Sequence, residues 1–396
     1  MRVLISGAGI AGPTLAYWLA KYGHEPTIIE CAPRLRTGGY MIDFWGAGFD
    51  VAERMGLLPR LGELGYMFRE VRVVDERGKR VTGFTVDSLA EVTKGRYVSI
   101  PRGDLAALIY QTIEKRVETI FGESISGIEE GSDCVRVNFE KQQPREFDLV
   151  IGADGLHSKV RSLVFGAEEE FEKYLGYQAA AFSVVGYRPG DELVYVMFTE
   201  VGQQAARFAM RGDRTTFLFI FADDNPGRVE AGDVAGQKAL LRKRFGGSGW
   251  ECAEILESME RADELYFDRV SQIRMNPQRG MWTRGRVSLV GDAASCVSLL
   301  AGQGSALAMS AAYILAGELH RAGDNYSLGF TRYQRLFGPL VAGKQKAALR
   351  FAGAFAPRSR LGLFLRNQVF RAMALPAVAN FAVGRSIMDK IELPEY

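Results

Sequence analysis

The sequence predicts an α/β fold: a parallel sheet wrapped by helices, an inserted β-sheet layer, and a helical segment at the C-terminus. Three observations carry this. A short apolar strand at 2–6 runs into the glycine-rich stretch Gly7-Ala8-Gly9-Ile10-Ala11-Gly12 and then into a helical pattern. Residues 171–280 hold "YQAAAFSVVGY", "ELVYVMFTE", "AARFAM" and "TTFLFIFAD", four stretches with strand-like alternation. Residues 325–388 contain ten basic residues and no acid, with apolar residues at helical spacing. A chain of 396 residues, 47% of them hydrophobic, suffices for one large or two medium domains. The net charge of +2 gives no global attraction to nucleic acid.

The N-terminal element is the most informative. After "RVLIS" and the glycines come Leu15, Ala16, Leu19 and Ala20 on one helical face, with Pro13 in the first turn, where its missing N–H costs nothing. A second strand, "PTIIE", ends in Glu30, 18 residues beyond Gly12. Strand, glycines, helix and terminal acid together form a Rossmann-like dinucleotide fingerprint. Gly7 permits the tight turn, and Gly9 lets backbone approach a pyrophosphate seated on the helix N-terminus. Glu30 would accept from a ribose 2′-OH and disfavours a 2′-phosphate, so FAD or NAD fits this site better than NADP. The apolar start also resembles a signal peptide, but cleavage there would delete the motif.

Two further elements follow. "DLVIGADGLHSKVR" (148–161) reads as a buried strand, a turn at Asp154-Gly155 and a helix start. "RVSLV" (286–290) is a strand that ends in Gly291-Asp292-Ala293. Beyond it, residues 293–317 carry no charge, which is long enough for a membrane span. Ser295, Ser298, Gln303, Ser305 and Ser310, with Gly302 and Gly304 bracketing the glutamine, argue instead for a buried helix from about Ser305 to Leu319 behind a ligand. The cysteines Cys31, Cys134, Cys252 and Cys296 lack metal-ligand spacing and fit free thiols in a cytoplasm. With His24, His157 and His320 as the only histidines, a His-based metal site or hydrolase is not expected.

In this order, the three elements resemble the class A flavoprotein monooxygenases, the p-hydroxybenzoate hydroxylase-like enzymes that include the tetracycline-inactivating monooxygenases, over roughly residues 1–340. The resemblance implies a Rossmann-like FAD-binding domain at 1–66, 101–170 and 281–340. It implies a β-sheet substrate domain at 67–100 and 171–280, with helices at 341–396. Gly7, Gly9, Ile10, Ala11, Gly12 and Glu30 would hold the ADP half of FAD. Arg102, in "IPRGDLAALI", would face the flavin chain, and Asp154 and Gly155 form the motif tied to both FAD and NAD(P)H. Asp292 would bond a ribityl hydroxyl, and Gly302, Gln303 and Gly304 would offer backbone N–H groups to the pyrimidine edge. NADPH or NADH would be a transient co-substrate. The implied reaction hydroxylates an aromatic or polyketide-like small molecule with O2 through a flavin C4a-hydroperoxide. No catalytic side chain is required, although Asp43 in "GGYMIDFWG" could bond substrate or flavin, or cap a turn. The family usually places His near 295, Pro near 299 or 300, and Asn near 306; here Ser295, Leu299, Leu300 and Ala306 stand.

Rival readings are a reductase of a lipophilic substrate without oxygen insertion, a flavin-bound sensor, and a halogenase. The halogenase W-x-W-x-I-P signature is absent, Trp282 standing alone in "RGMWTRGR". In the sheet region Phe182, Phe198, Phe208, Phe217, Phe219 and Phe221 are expected to pack as core. "VRVVDERGKRVTGF" (71–84) reads as a hairpin, and "RYVSI" (96–100) as a further strand of the same sheet. In the basic C-terminal segment, Leu361, Phe364, Leu365 and Val369 share helical spacing. Gly353, Pro357, Gly362 and Pro376 are expected to divide it into short helices packed on the acidic remainder of the chain. Peripheral contact with an anionic membrane through 344–390 is the alternative.

Overall fold

The computed structural model describes residues 1–36, 39–85, 93, 95–225, 232–276, 281–373, 378 and 392–396, without the side chains of 350–352. The core is a six-stranded sheet in the order Thr283–Arg284, Val287–Leu289, Leu149–Gly152, Arg2–Ser6, Glu25–Glu30 and Glu118–Phe121. All neighbours are parallel except the first pair. Val3, Leu4, Ile5, Val150 and Ile151 are fully buried, as a parallel strand covered on both faces requires. The helices Ala11–Lys21 and Gly304–Ala322 pack against this sheet, and the expected charge-free helix is buried from Ala306 to Leu319. Among the described residues no helix is long and apolar enough to cross a membrane.

The second layer is a seven-stranded sheet: Leu265–Ile273, Glu172–Val185, Arg214–Ala222, Gln203–Ala209, Val194–Glu200, Glu70–Val74 and Arg80–Thr85. The last two form the hairpin expected at 71–84. Alternation gives the sheet two faces. Val194, Val196 and Phe198 pack with Phe182, Phe217, Phe219 and Phe221 against the helices Val234–Phe245 and Cys252–Ser258. Tyr195 and Met197 turn to the other face, with Val71, Val73, Ala206 and Phe370. Phe208 lies there too, against Tyr66 and Met210.

Three expectations need correction. Tyr97–Pro101 does not extend the large sheet; it pairs antiparallel with Met41–Trp45 as a separate ribbon. The helix Tyr326–Phe355 runs unbroken through Pro339, Gly353 and the expected boundary at 340/341. Its buried face of Phe330, Tyr333, Phe337 and Val341 packs beside Trp282, and that tertiary support outweighs one lost hydrogen bond. It ends at Ala356, at φ −131° and ψ 79°, which Pro357 keeps out of the helical region. Gly362 likewise sits inside a helix, Arg360–Met373, whose burial is inverted. Leu361, Phe364, Leu365 and Val369 are all more than half exposed, whereas Arg366 is buried. Pro376, Arg385 and most of 374–391 lie outside the described residues.

Candidate active site

The glycine loop is built to leave space. Gly7 takes φ +110°, and a Cβ there would stand 2.5 Å from the Ala153 carbonyl oxygen, so the loop presses on the Asp154 turn. A Cβ on Gly12 would stand 2.0 Å from the Gly7 oxygen, which brings the helix hard against the loop. The helix Ala11–Lys21 receives no side-chain cap at Ile10 and no acid in its first turn, so its N–H groups are left for an anion. Glu30 stands beside them: its Oε2 accepts from the Ala8 N–H at 2.8 Å, and its Oε1 from that of Ala32 at 2.9 Å.

Arg102 connects this loop to the third motif. Its Nη2 lies 3.7 Å from where a Gly9 Cβ would be, and its backbone N–H donates to the Tyr40 carbonyl at 3.1 Å. Its charge is felt by Asp292, whose carboxyl is held above the usual range by burial, partly offset by Arg102. The Asp292 Oδ1 lies 3.8 Å from where a Gly304 Cβ would be. Gly302 is left-handed at φ +64°, and the following helix begins at Gly304 with no side-chain cap on Gln303 and no first-turn acid. A Cβ on Gly291 would touch both Ala11 and Ala308, at 2.9 and 3.6 Å. Two uncapped helix N-termini therefore meet at one groove, with Arg102 and Asp292 between them.

The structure thus brings together Gly7, Gly9, Ile10, Ala11, Gly12, Glu30, Arg102, Asp292, Gly302, Gln303 and Gly304. Asp154 adjoins Gly7 but spends its carboxylate on its own chain, accepting from the Ser158 hydroxyl at 2.5 Å and the Val160 N–H at 3.0 Å. Gly155 continues that turn at φ +81° with open space around it. Behind the turn, fully buried Arg161 donates to the Ala293 carbonyl at 3.1 Å and ties the second motif to the third.

Several groups here have no local sequence signature. Tyr266 meets Tyr40 edge to face at 5.1 Å. Burial pushes the Tyr40 hydroxyl up to about 12 and the Cys296 thiol well above its ordinary value. Asp268 and Glu168 clamp the His157 ring at 3.1 and 2.9 Å, and these bonds raise it to about 10. Asp43 caps no turn. It stands mid-strand, where its Oδ1 accepts from Tyr97 and Ser99, each at 2.6 Å. Burial raises its carboxyl, against the pull of those two bonds; burial also raises Tyr195 on the large sheet, with the charge of Asp43 adding to it. The Trp45 indole stacks on Tyr97 at 5.8 Å, with its buried N–H unpartnered. Two surface hollows, of about 290 and 390 Å³, contain none of the groove residues. Among the described residues no cluster has the make-up of a metal site.

A family model described as FAD binding domain matches residues 1–323. An uncharacterized protein of Mycobacterium tuberculosis is 42% identical over 349 residues, covering 87% of this chain and 91% of its own. A flavin-dependent monooxygenase from an unknown prokaryotic organism is 35% identical over 402 residues, covering 100% and 99%. The crystal structure of the tetracycline destructase Tet(51) superposes with a TM-score of 0.84 at 31% identity, covering 100% of this chain and 99% of that one. The glycine cradle, the two open helix termini and the Arg102–Asp292 groove fit the cofactor these similarities imply. The chain belongs to the FAD binding domain family and is a FAD-dependent monooxygenase.

Proposed function

We propose that the chain hydroxylates an aromatic or polyketide-like small molecule, held between the groove and the inner face of the seven-stranded sheet. The observation that carries this is the approach of Arg102, Asp292 and the Gly304 helix start to one another beside the Tyr40–Tyr266 pair, with Asp43 on the same ribbon strand as Met41 and facing Tyr195 of the large sheet. Bound FAD would supply the redox chemistry: reducing equivalents from NADH or NADPH and activation of O2, one atom for the substrate and one for water. The chain's residues do the rest. Backbone N–H groups at 9–12 and Arg102 would hold the pyrophosphate, and Glu30 would take ribose hydroxyls. Asp292 accepts a ribityl hydroxyl. N–H groups at the start of the Gly304–Ala322 helix face negative charge on the pyrimidine edge. Asp43, whose Oδ1 is taken up by the Tyr97 and Ser99 hydroxyls, would meet the substrate through Oδ2, and the aromatic wall excludes water.

The test is turnover under labelled O2. Purified protein reconstituted with FAD is expected to oxidise NAD(P)H faster with a suitable phenol or polyketide and to yield product carrying one labelled atom. Product without label would favour the reductase reading instead.

A cytoplasmic location belongs to this reading, supported by four unpaired cysteines. One observation favours a second mode of contact. The exposed stripe Leu361, Phe364, Leu365 and Val369 is flanked by Arg358, Arg360 and Arg371, as expected of a helix resting on an anionic membrane. Sedimentation with phosphatidylserine vesicles at physiological salt is then expected, and its absence removes this mode.

A further inference from the structure

The helix Arg360–Met373 turns Leu361, Phe364, Leu365 and Val369 outward and buries Arg366. Arg366 is 6% exposed. Its Nη1 donates to the Thr199 hydroxyl at 3.2 Å and touches the Met197 sulfur at 3.9 Å. Its Nε and Nη2 are buried with no partner among the described residues. These two atoms lie on one edge of the planar guanidinium, where their N–H bonds run parallel and match the two oxygens of a carboxylate. No described carboxylate pairs with Arg366, and burial alone lowers its guanidinium to about 10. A guanidinium withdrawn from water without a counter-ion is costly, and the cost falls when an anion arrives.

The position of this fork says what it meets. Thr199, Met197 and Tyr195 alternate along one strand and so share the inner face of the large sheet. Tyr195 lies within the field of Asp43, and the four steps along the strand from Tyr195 to Thr199 span roughly 13 Å. Phe370, one turn beyond Arg366, joins Met197 and Tyr195 in the same apolar cluster. Arg366 therefore stands at the far end of the wall that begins at Asp43.

We propose that Arg366, steadied by Thr199, forms an anion subsite that takes a carboxylate or ionised enol at the distal end of an elongated polycyclic substrate. The proposal rests on the reading of this sheet face as the substrate wall. It names a specificity group on the C-terminal helix, outside the FAD-binding motifs.

The experiment titrates FAD-loaded protein at pH 8 with anthracene-2-carboxylate and with the neutral 2-anthracenemethanol, following probe fluorescence. Wild type is expected to prefer the carboxylate by about tenfold or more, in line with a charge-assisted bidentate contact. Arg366→Met should lose that preference while keeping its affinity for the alcohol and its FAD content. Arg366→Lys keeps the charge but not the fork, and should retain only part of the preference; it decides the matter if the methionine variant does not fold. Equal affinities in wild type, or an undiminished preference in a folded variant, would overturn the proposal. The titration involves no turnover, so its outcome is separate from that of the labelled-oxygen experiment.

Discussion

Gly12→Ala is expected to give a colourless protein that does not recover FAD when the cofactor is added back. The new Cβ would stand 2.0 Å from the Gly7 carbonyl oxygen and 3.3 Å from the Ile5 Cγ2. Neither neighbour has room to retreat. The Gly7 N–H is fixed to the Ile29 carbonyl at 2.7 Å, and the far side of Gly7 abuts the Ala153 carbonyl. Ile5 is fully buried in the central sheet. The clash is backbone against backbone, so the helix must back away from the loop that aims its N–H groups at the pyrophosphate. Overpacking of this kind costs about 1–3 kcal/mol in stability. The effect on FAD should be larger than that on folding, because displacing the helix terminus misaims several donors at once. Flavin absorbance per chain and the melting temperature measure both. Gly62→Ala, where nothing lies within 4 Å of the added carbon, is the matched control. A yellow, stoichiometric Gly12→Ala protein would show that the loop does not seat the cofactor as argued.

What was legible in the sequence was legible for local reasons. The strands Arg2–Ser6, Glu25–Glu30 and Leu149–Gly152 are apolar runs cut off by glycine or acid, and the tight turn they feed requires glycine whatever the rest of the chain does. The charge-free helix was read from its own composition. What escaped depends on distant parts of the chain. Asp43 finds its partners 54 and 56 residues away, on a ribbon strand that looked like part of the large sheet. Tyr195 comes from one strand of the seven-stranded sheet and Tyr266 and Asp268 from another, and they mean nothing until the sheet is placed over the groove. The small sheet Ile125–Glu130, Val135–Phe139 and Arg145–Phe147 alternates buried and exposed side chains, yet its short polar strands lack the apolar density of the others. The helix Arg360–Met373 inverts the usual reading. Its apolar stripe looked like a packing face, but the face that packs carries Arg366.

Asp292→Ala is expected to move cofactor affinity and chain stability in opposite directions. Burial holds the Asp292 carboxyl above its ordinary range, so its ionised form is a burden on the chain without FAD, only partly relieved by Arg102. Removing the carboxylate lifts that burden, and the melting temperature of FAD-free protein should hold or rise. The same change removes the acceptor proposed for a ribityl hydroxyl, leaving a buried hydroxyl unpaired. Losing a hydrogen bond to a charged group costs about 1.5–3 kcal/mol, so FAD affinity should fall roughly 10- to 100-fold, with turnover following occupancy. Asp292→Asn keeps an acceptor of the same shape and should lie between the two. Asp133→Ala, at an exposed turn, should change neither quantity. The measurements are FAD titration by flavin fluorescence and thermal melts of FAD-free protein, on the same preparations. If Asp292→Ala lowers the melting temperature and leaves FAD affinity intact, the carboxylate supports the fold and the ribityl contact belongs to another group.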